Sequence, residues 1–391
     1  MKILIVSPYI PWPLYSGAVV RIFNISKELS KMGHEIHLMA GGKNYDSQIL
    51  GSIFRKVYLY DFIRQDGLFP MIKSFLSPKP YPLGKFKFPD FKNKLEQVLD
   101  KEDFDVILVN FSFLADLLPA DLHRRKLVIL DQHELESVMY QDYLKGGNIL
   151  EKAFSMVNLL KIKSFYREVF SKISLILSVC EDEAELTKKY TRSNRVFCIP
   201  NGVSEDFLSP DKSFEKKENI ILFSGNLAIR RNVKAIRFFA LKVFPSIKKQ
   251  IKDAKFYIVG SWPSPSLKYL ALIDGVHLIG QVQDIKYYYQ LSKVFILPYK
   301  FGGGTKIKTF EAMASRIPIV STKVGIRGVP LIDERHVLIS NSSKDFCENI
   351  KRVMLNANLS KTLSDNALDL IKRKYLWQNI AKELELLIKN N

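Results

Sequence analysis

Short apolar runs recur along the chain, many followed by a turn and a segment whose apolar positions fall three or four apart. Ile3–Ser7 is the first such run. A loop with prolines at 8, 11 and 13 leads to Gly17, a helix is expected over about Ala18–Met32, and a strand over Glu35–Met39 follows Gly33. This βαβ opening is the kind that builds a parallel, doubly wound sheet. Further strands are expected at Val57–Tyr60, Val106–Val109, Leu127–Leu130, Leu175–Val179 and Val196–Ile199. The pattern then begins again: a strand at Asn219–Gly225, a helix at about Val233–Lys249, and strands at Lys255–Gly260, Val276–Ile279, Val294–Leu297 and Ile317–Val320. Asp284 reads as the N-cap of a helix over Ile285–Leu291, and Trp377–Lys389 as a last amphipathic helix. Two similar α/β units in tandem predict two Rossmann-like domains, with Asn201–Asn219, rich in Ser, Asp, Pro and Lys, as their linker.

The stretch Gly302–Thr322 is the most informative chemically. Three glycines run into a helix carrying Ile307, Phe310 and Ala314 on one face. A Gly-rich turn lets the backbone approach a ligand, and the first N–H groups of a helix suit a phosphate. A P-loop is excluded, because the order is Gly-Thr-Lys rather than Gly-Lys-Ser/Thr. Spacing alone leaves a plain tight turn equally open. Position favours a ligand, since the turn follows a strand of a parallel sheet, where open α/β sheets bind.

Charge narrows the partners. Lys and Arg total 59 against 40 Asp and Glu in 391 residues, a formal +19, which points to nucleic acid, an anionic membrane or a phosphorylated substrate. No nucleic-acid recognition module is present, and none is expected to act. Residues 72 to 94 interleave Lys73, Lys79, Lys85, Lys87, Lys92 and Lys94 with Phe75, Tyr81, Phe86, Phe88 and Phe91, a composition suited to an anionic membrane surface. Residues 151 to 172 form a second basic, amphipathic candidate, read as a solvated face over an ordinary core. Cys180, Cys198 and Cys347 suggest neither a disulfide framework nor a zinc site. No apolar run reaches the ~18 residues of a membrane span. A cytoplasmic protein, peripheral at the inner face of the plasma membrane, is expected.

These features together resemble the retaining GT-B glycosyltransferases of family 4. The resemblance rests on GHEIHLMA at 33 to 40, DQHELES at 131 to 137, SVCEDEAEL at 178 to 186, IPNGV at 199 to 203, FSGNLAIRRN at 223 to 232, FYIVG at 256 to 260, and the Gly-rich stretch ending in EAMA. IPNGV followed about 100 residues later by the Gly-rich EAMA segment is the most specific pairing. The implied fold is α/β, GT-B: two Rossmann-like doubly wound domains facing across a cleft, at 1–202 for the acceptor and 203–375 for the donor. A C-terminal helix at 376–391 is expected to pack back on the N-terminal domain.

What the resemblance implies for chemistry is a nucleotide-diphosphate sugar as co-substrate, with no cofactor and no metal. Gly17, Gly303, Gly304, Thr305 and Lys306 are then donor-binding, and Glu311 takes the ribose hydroxyls. Arg230 and Arg231 match the basic pair that stabilises the departing diphosphate, and His133 is the candidate for the sugar or acceptor. A plain Lys308 to Glu311 surface pair is the alternative reading of that carboxylate. Gly303 stands where the family usually carries a further glutamate, and Asn110 where many members carry a histidine. The acceptor is expected to be lipid-linked or a polysaccharide. A catalytically silent sugar-nucleotide binding protein and a nucleotide-sugar epimerase are the alternatives. Asp103-Phe104-Asp105, formally a DxD, precedes a strand and reads as a turn; His34 and His37, read as sharing a strand on opposite faces, make no metal pair.

Overall fold

Two parallel sheets carry the chain, and both are built from the apolar runs described above. The computed structural model describes residues 1–65, 72, 75–81, 86–191, 195–208 and 217–391, apart from the side chain of Arg64. Lys73, Lys85 and residues 209–216 of the expected linker lie outside the described residues. The chain divides into two compact units, Met1–Pro200 with Ile380–Asn391, and Asn201–Asn379.

The first unit holds β1 (Lys2–Ser7), β2 (Glu35–Gly41), β3 (Lys56–Tyr60), β4 (Val106–Asn110), β5 (Leu127–Gln132), β6 (Leu175–Ser178) and β7 (Val196–Cys198). Their order is β3-β2-β1-β4-β5-β6-β7, every pairing parallel. Strands buried on both faces explain why Ile3–Val6 and Val106–Val109 read as continuous apolar runs rather than as alternations. The order reverses between β1 and β4, and the loops after those strands form the switch point. Helix α1 (Gly17–Lys31) leaves the loop after β1, with the Ser16 hydroxyl accepting from Val19 N at 3.4 Å as its N-cap. After β5 come α2 (Glu136–Gly146) and the long α3 (Ile149–Phe170), which opens with a capping box between Asn148 and Glu151.

The second unit holds β8 (Glu218–Ser224), β9 (Lys255–Val259), β10 (Val276–Gly280), β11 (Ser292–Leu297), β12 (Ile319–Ser321) and β13 (Leu338–Ile339), in the order β10-β9-β8-β11-β12-β13 and again all parallel. Its switch point lies between β8 and β11. Helix α4 (Arg230–Lys242) follows β8, and α5 (Phe244–Gln250) follows α4. The single helix expected from Val233 to Lys249 is thus two, because Pro245 in the first turn of α5 has no N–H with which to continue the ladder. Its start also moves forward, so that Arg230 and Arg231 open α4. Helix α6 (Ile285–Leu291) is capped by the Asp284 side chain, α7 (Ile307–Ala314) follows the Gly-rich turn, and α8 (Trp377–Lys389) closes the chain.

Two expectations change. Of the aromatics of residues 72 to 94, whose composition suits a membrane surface, Phe91 is buried, while Tyr81, Phe86 and Phe88 pack against the first core, with Phe86 and Phe88 against Phe113 at 5.1 and 6.1 Å. Apolar area outweighs the adjacent lysines, whose long stems let the charge stay outside. His34 lies in the turn before β2 rather than in a strand; it bonds Glu385 at 2.9 Å, and His37 bonds Glu35 at 2.8 Å. The DxD carboxylates serve structure as well: Asp105 accepts from Lys2 N at 2.7 Å and Asp103 pairs with Lys126.

Candidate functional site

The switch point of the second sheet gathers a cluster of cations. After β11 the chain runs through Tyr299 to the glycines, where Gly302 (φ +127°) and Gly304 (φ +63°) hold conformations that side chains resist. A Cβ on Gly302 would also meet Arg231 Cδ at 3.2 Å. The turn is pinned on both flanks. Arg327 donates to Gly302 O at 3.0 Å, and Asn201 Nδ2 donates to the Thr305 hydroxyl at 2.6 Å. The second bond gives the spacing of IPNGV and GGGT a physical cause, since the asparagine of one motif holds the threonine of the other.

Lys306 is buried, and its ammonium donates to Val324 O at 3.1 Å while lying 5.2 Å from the Tyr299 ring. Lys308 is the residue that sequence reasoning missed. Its Nζ donates to Ser224 O at the end of β8 and to the Tyr299 hydroxyl at 2.9 Å, and it sits 4.5 Å from the Phe223 ring. A Cβ on Gly225 (φ +136°) would collide with that ammonium at 2.3 Å, so glycine there makes room for it. Burial draws the Lys308 pKa down to about 7; Glu311 opposes this, and Arg231 and Lys306 add to it. The surface-pair alternative for Lys308 and Glu311 is therefore not what the fold builds. Glu311 instead accepts from the Tyr289 hydroxyl at 2.9 Å, and Tyr289 in turn meets the Ser224 hydroxyl at 2.8 Å. Burial raises the Glu311 pKa, with Tyr289 and Lys308 working the other way. Of the expected arginines, Arg231 is half-buried beside Gly302, whereas Arg230 is exposed.

The first unit's switch point is organised differently. Arg21, on α1, is fully buried and grips Asp131 with Nε at 2.8 Å and Nη2 at 2.9 Å, and Nη1 reaches Pro200 O at 2.8 Å. Burial works against the Asp131 charge, but Arg21 and His133 outweigh it and hold its pKa below the usual value. His133 lies just past β5, its Nε2 2.9 Å from Asn110 Oδ1 and 3.7 Å from Asp131. Asn110 Nδ2 donates to Val6 O at 3.0 Å, which leaves Oδ1 as the acceptor, so Nε2 of His133 carries the proton and Nδ1 is the acceptor. Burial lowers the His133 pKa to about 4, against Asp131 and with Arg21, and keeps the ring neutral at pH 7. Phe111 stacks on this ring at 4.4 Å and adopts φ +73°, an outlier for a bulky residue. Asn110, which stands where many family members carry a histidine, is thus the partner that orients the histidine at the end of the adjacent strand. Gly17 is exposed in the first turn of α1, outside this network.

Glu136, the second glutamate of DQHELES, accepts from Ser112 Oγ at 2.7 Å and Tyr166 at 2.6 Å, tying the loop after β5 to the body of the unit. Among the described residues, no group of three or more His, Cys, Asp or Glu could hold a metal ion.

Two parallel doubly wound sheets, each with helices around its switch point, are the two Rossmann-like domains of the GT-B fold. Residues 15–207 match the model of Glycosyltransferase Family 4 and residues 218–356 that of Glycosyl transferases group 1. The chain belongs to the glycosyltransferase superfamily that these two models describe, and it is an enzyme that transfers a sugar from a nucleotide-sugar donor. An uncharacterized 44.6 kDa protein in the cps region of Klebsiella pneumoniae is 24% identical, over 98% of this chain and 99% of the relative. Among solved structures, a sucrose-phosphate synthase from Thermosynechococcus elongatus has a TM-score of 0.74 at 17% identity, covering 100% of this chain and 98% of that one. Anabaena Alr3699/HepE in complex with UDP has a TM-score of 0.72 at 12% identity, covering 100% of both chains.

Proposed function

We propose that the enzyme holds a nucleotide-diphosphate sugar at the switch point of its second sheet and transfers the sugar, with retention at the anomeric carbon, to a lipid-linked or polysaccharide acceptor in cell-surface glycan synthesis. The observation that carries this reading is the gathering of Arg231, Lys306 and Lys308 around the Gly302–Thr305 turn. As the bond from the anomeric carbon to the diphosphate oxygen breaks, its electron pair stays with the diphosphate. Cations and backbone N–H groups already aimed at that position stabilise the charge as it grows. Glu311 accepts the ribose hydroxyls, with Tyr289 fixing its orientation.

Arg231 is the catalytic member of the arginine pair in this scheme, and Arg230 supplies longer-range attraction for the donor. The amides of Gly303, Gly304 and Thr305 contact the sugar and diphosphate in place of the glutamate that Gly303 replaces. His133, a neutral acceptor at Nδ1, accepts a hydrogen bond from a hydroxyl of the sugar or acceptor. No metal enters this scheme. Turnover of UDP-, GDP- and ADP-sugars by Glu311→Ala and Arg231→Ala, with and without EDTA, tests it. Lost turnover in the variants and none lost to EDTA is expected, while wild-type turnover in both variants would sink the assignments. The anomeric configuration of the product checks retention, and a free epimerised nucleotide sugar would indicate an epimerase instead.

A further inference from the structure

The outer face of α3 is apolar where a soluble helix should be polar. Ile149, Ala153, Met156 and Leu160 succeed one another at intervals of four, three and four residues, which places them on one stripe of the helix. Ile149 is 84% exposed, Leu160 76%, and the adjoining Leu150 80%. The same stripe continues into Lys163 and Arg167, both exposed, so that one line about 27 Å long is apolar at its start and cationic at its end. The inner face of the helix is fully employed: Phe154, Ile162, Phe165 and Phe170 are buried in the first core. Core packing therefore does not account for the outer stripe.

A second element widens it. Phe75 packs edge-on against Phe154 at 5.9 Å, and Lys161 Nζ donates to Phe75 O at 3.1 Å, which holds that segment against α3. Beside them Leu76 is 87% exposed, and Ile72 is exposed as well. Exposed side chains of this size are normal when scattered, whereas a contiguous group of them marks a contact surface. The helix carries Lys152, Lys161, Lys163 and Arg167 against Glu151 and Glu168. Both acids are engaged, Glu151 in the capping box and Glu168 3.6 Å from Lys172.

We infer that this face, Ile149 to Arg167 of α3 with Phe75 and Leu76, is the surface by which the enzyme docks on an anionic lipid bilayer. Charge complementarity selects that occupant. A bilayer offers an acyl boundary for Ile149, Leu150, Met156 and Leu160 and phosphates for Lys152, Lys163 and Arg167, all in one plane. A second copy of the chain fits less well. Pairing two such helices in parallel would set Lys163 and Arg167 against their own copies, and pairing them antiparallel would set those cations against the apolar start. No described helix is long and apolar enough to cross the membrane, so the contact is one of surface docking. The basic segment from 72 to 94 takes part through Phe75 and Leu76, not through Phe86, Phe88 and Phe91, which face the core.

Co-sedimentation of the full chain with phosphatidylglycerol–phosphatidylcholine vesicles tests this. Wild type is expected to bind, and to release as salt rises. Leu150→Glu with Leu160→Glu should weaken binding at least tenfold, and Lys163→Glu with Arg167→Glu by about fivefold or more per residue. Leu272→Glu, equally exposed on the other unit, should leave it unchanged. All these positions are exposed, so unfolding does not confound the result, and circular dichroism checks it. Equal vesicle binding by the α3 variants would overturn the proposal, as would equal binding to pure phosphatidylcholine. A wild-type dimer in sedimentation velocity that Leu150→Glu with Leu160→Glu dissociates, without vesicle binding, would replace it with self-association. Binding of free nucleoside diphosphates is expected to be unchanged in these variants, so the docking surface and the donor site succeed or fail separately.

Discussion

The two switch points have the same topology and opposite electrostatics. In the first unit the fully buried cation among the described residues, Arg21, is consumed by Asp131, and His133 is kept neutral by burial. In the second, Lys306 and Lys308 are drawn inward against their preference for water and gather with Arg231 around one turn, with Glu311 opposing the shift of Lys308. Cations gathered at one turn give a local positive potential that attracts an anion. The difference separates the roles: the neutral end suits hydroxyls, and the cationic end suits a diphosphate.

Breaking the neutral end should have the largest effect. Arg21→Met leaves the Asp131 carboxylate buried and unpaired, and urea unfolding should report a loss of about 3–5 kcal/mol. If the loss is under ~1 kcal/mol, Arg21 is not what neutralises that end. Asp131→Asn should act alike, because it strands the guanidinium.

A pH series sharpens the cationic end. Lys308 has a pKa of about 7 in the folded protein, below its ordinary value, so its charge is present below that pH and lost as pH rises through it. Diphosphate affinity should accordingly fall above pH 7, by up to about tenfold per unit, and Lys308→Met should flatten that limb. His133, with a pKa of about 4, gives the converse expectation: it is neutral throughout pH 6 to 9 and adds no limb to the profile of transfer rate there. A histidine limb near pH 6.5 would contradict the neutral reading. The smallest effect is reserved for Tyr289→Phe. It removes one hydrogen bond to Glu311 and should weaken nucleotide binding by about 1 kcal/mol, while nucleobase-free diphosphate binds as before.

The strands, their order in two units and the Gly-rich turn were legible because buried parallel strands leave continuous apolar runs and the turn leaves glycines. The EAMA context makes Glu311 a candidate, but its hydrogen-bond partner, a tyrosine 22 residues away, carries no local signal. Lys308 is not singled out by the sequence, because at i, i+3 from Glu311 it also has the spacing of a surface pair; only the position of Ser224 at the end of β8 shows where its ammonium goes. The same limit applied to Phe86, Phe88 and Phe91. Periodicity says which residues are apolar, while the tertiary fold decides which of them find a core. In α3 the expected core face is present, with Phe165 and Phe170 buried, while the exposed face carries Met156 and Leu160 beside its cations.

In the proposed scheme the second switch point is a diphosphate site completed by Arg231 and Lys308. Calorimetric titration of the full chain with UDP, GDP and ADP at pH 6.5, for wild type and for Arg231→Ala with Lys308→Met, tests it most directly. At least one of the three should bind wild type, and the double variant should bind it a hundredfold or more weakly, as expected for two lost charge-assisted contacts of about 1.5–3 kcal/mol each. Equal affinity in the two proteins, or no binding of any of the three to wild type, would contradict it.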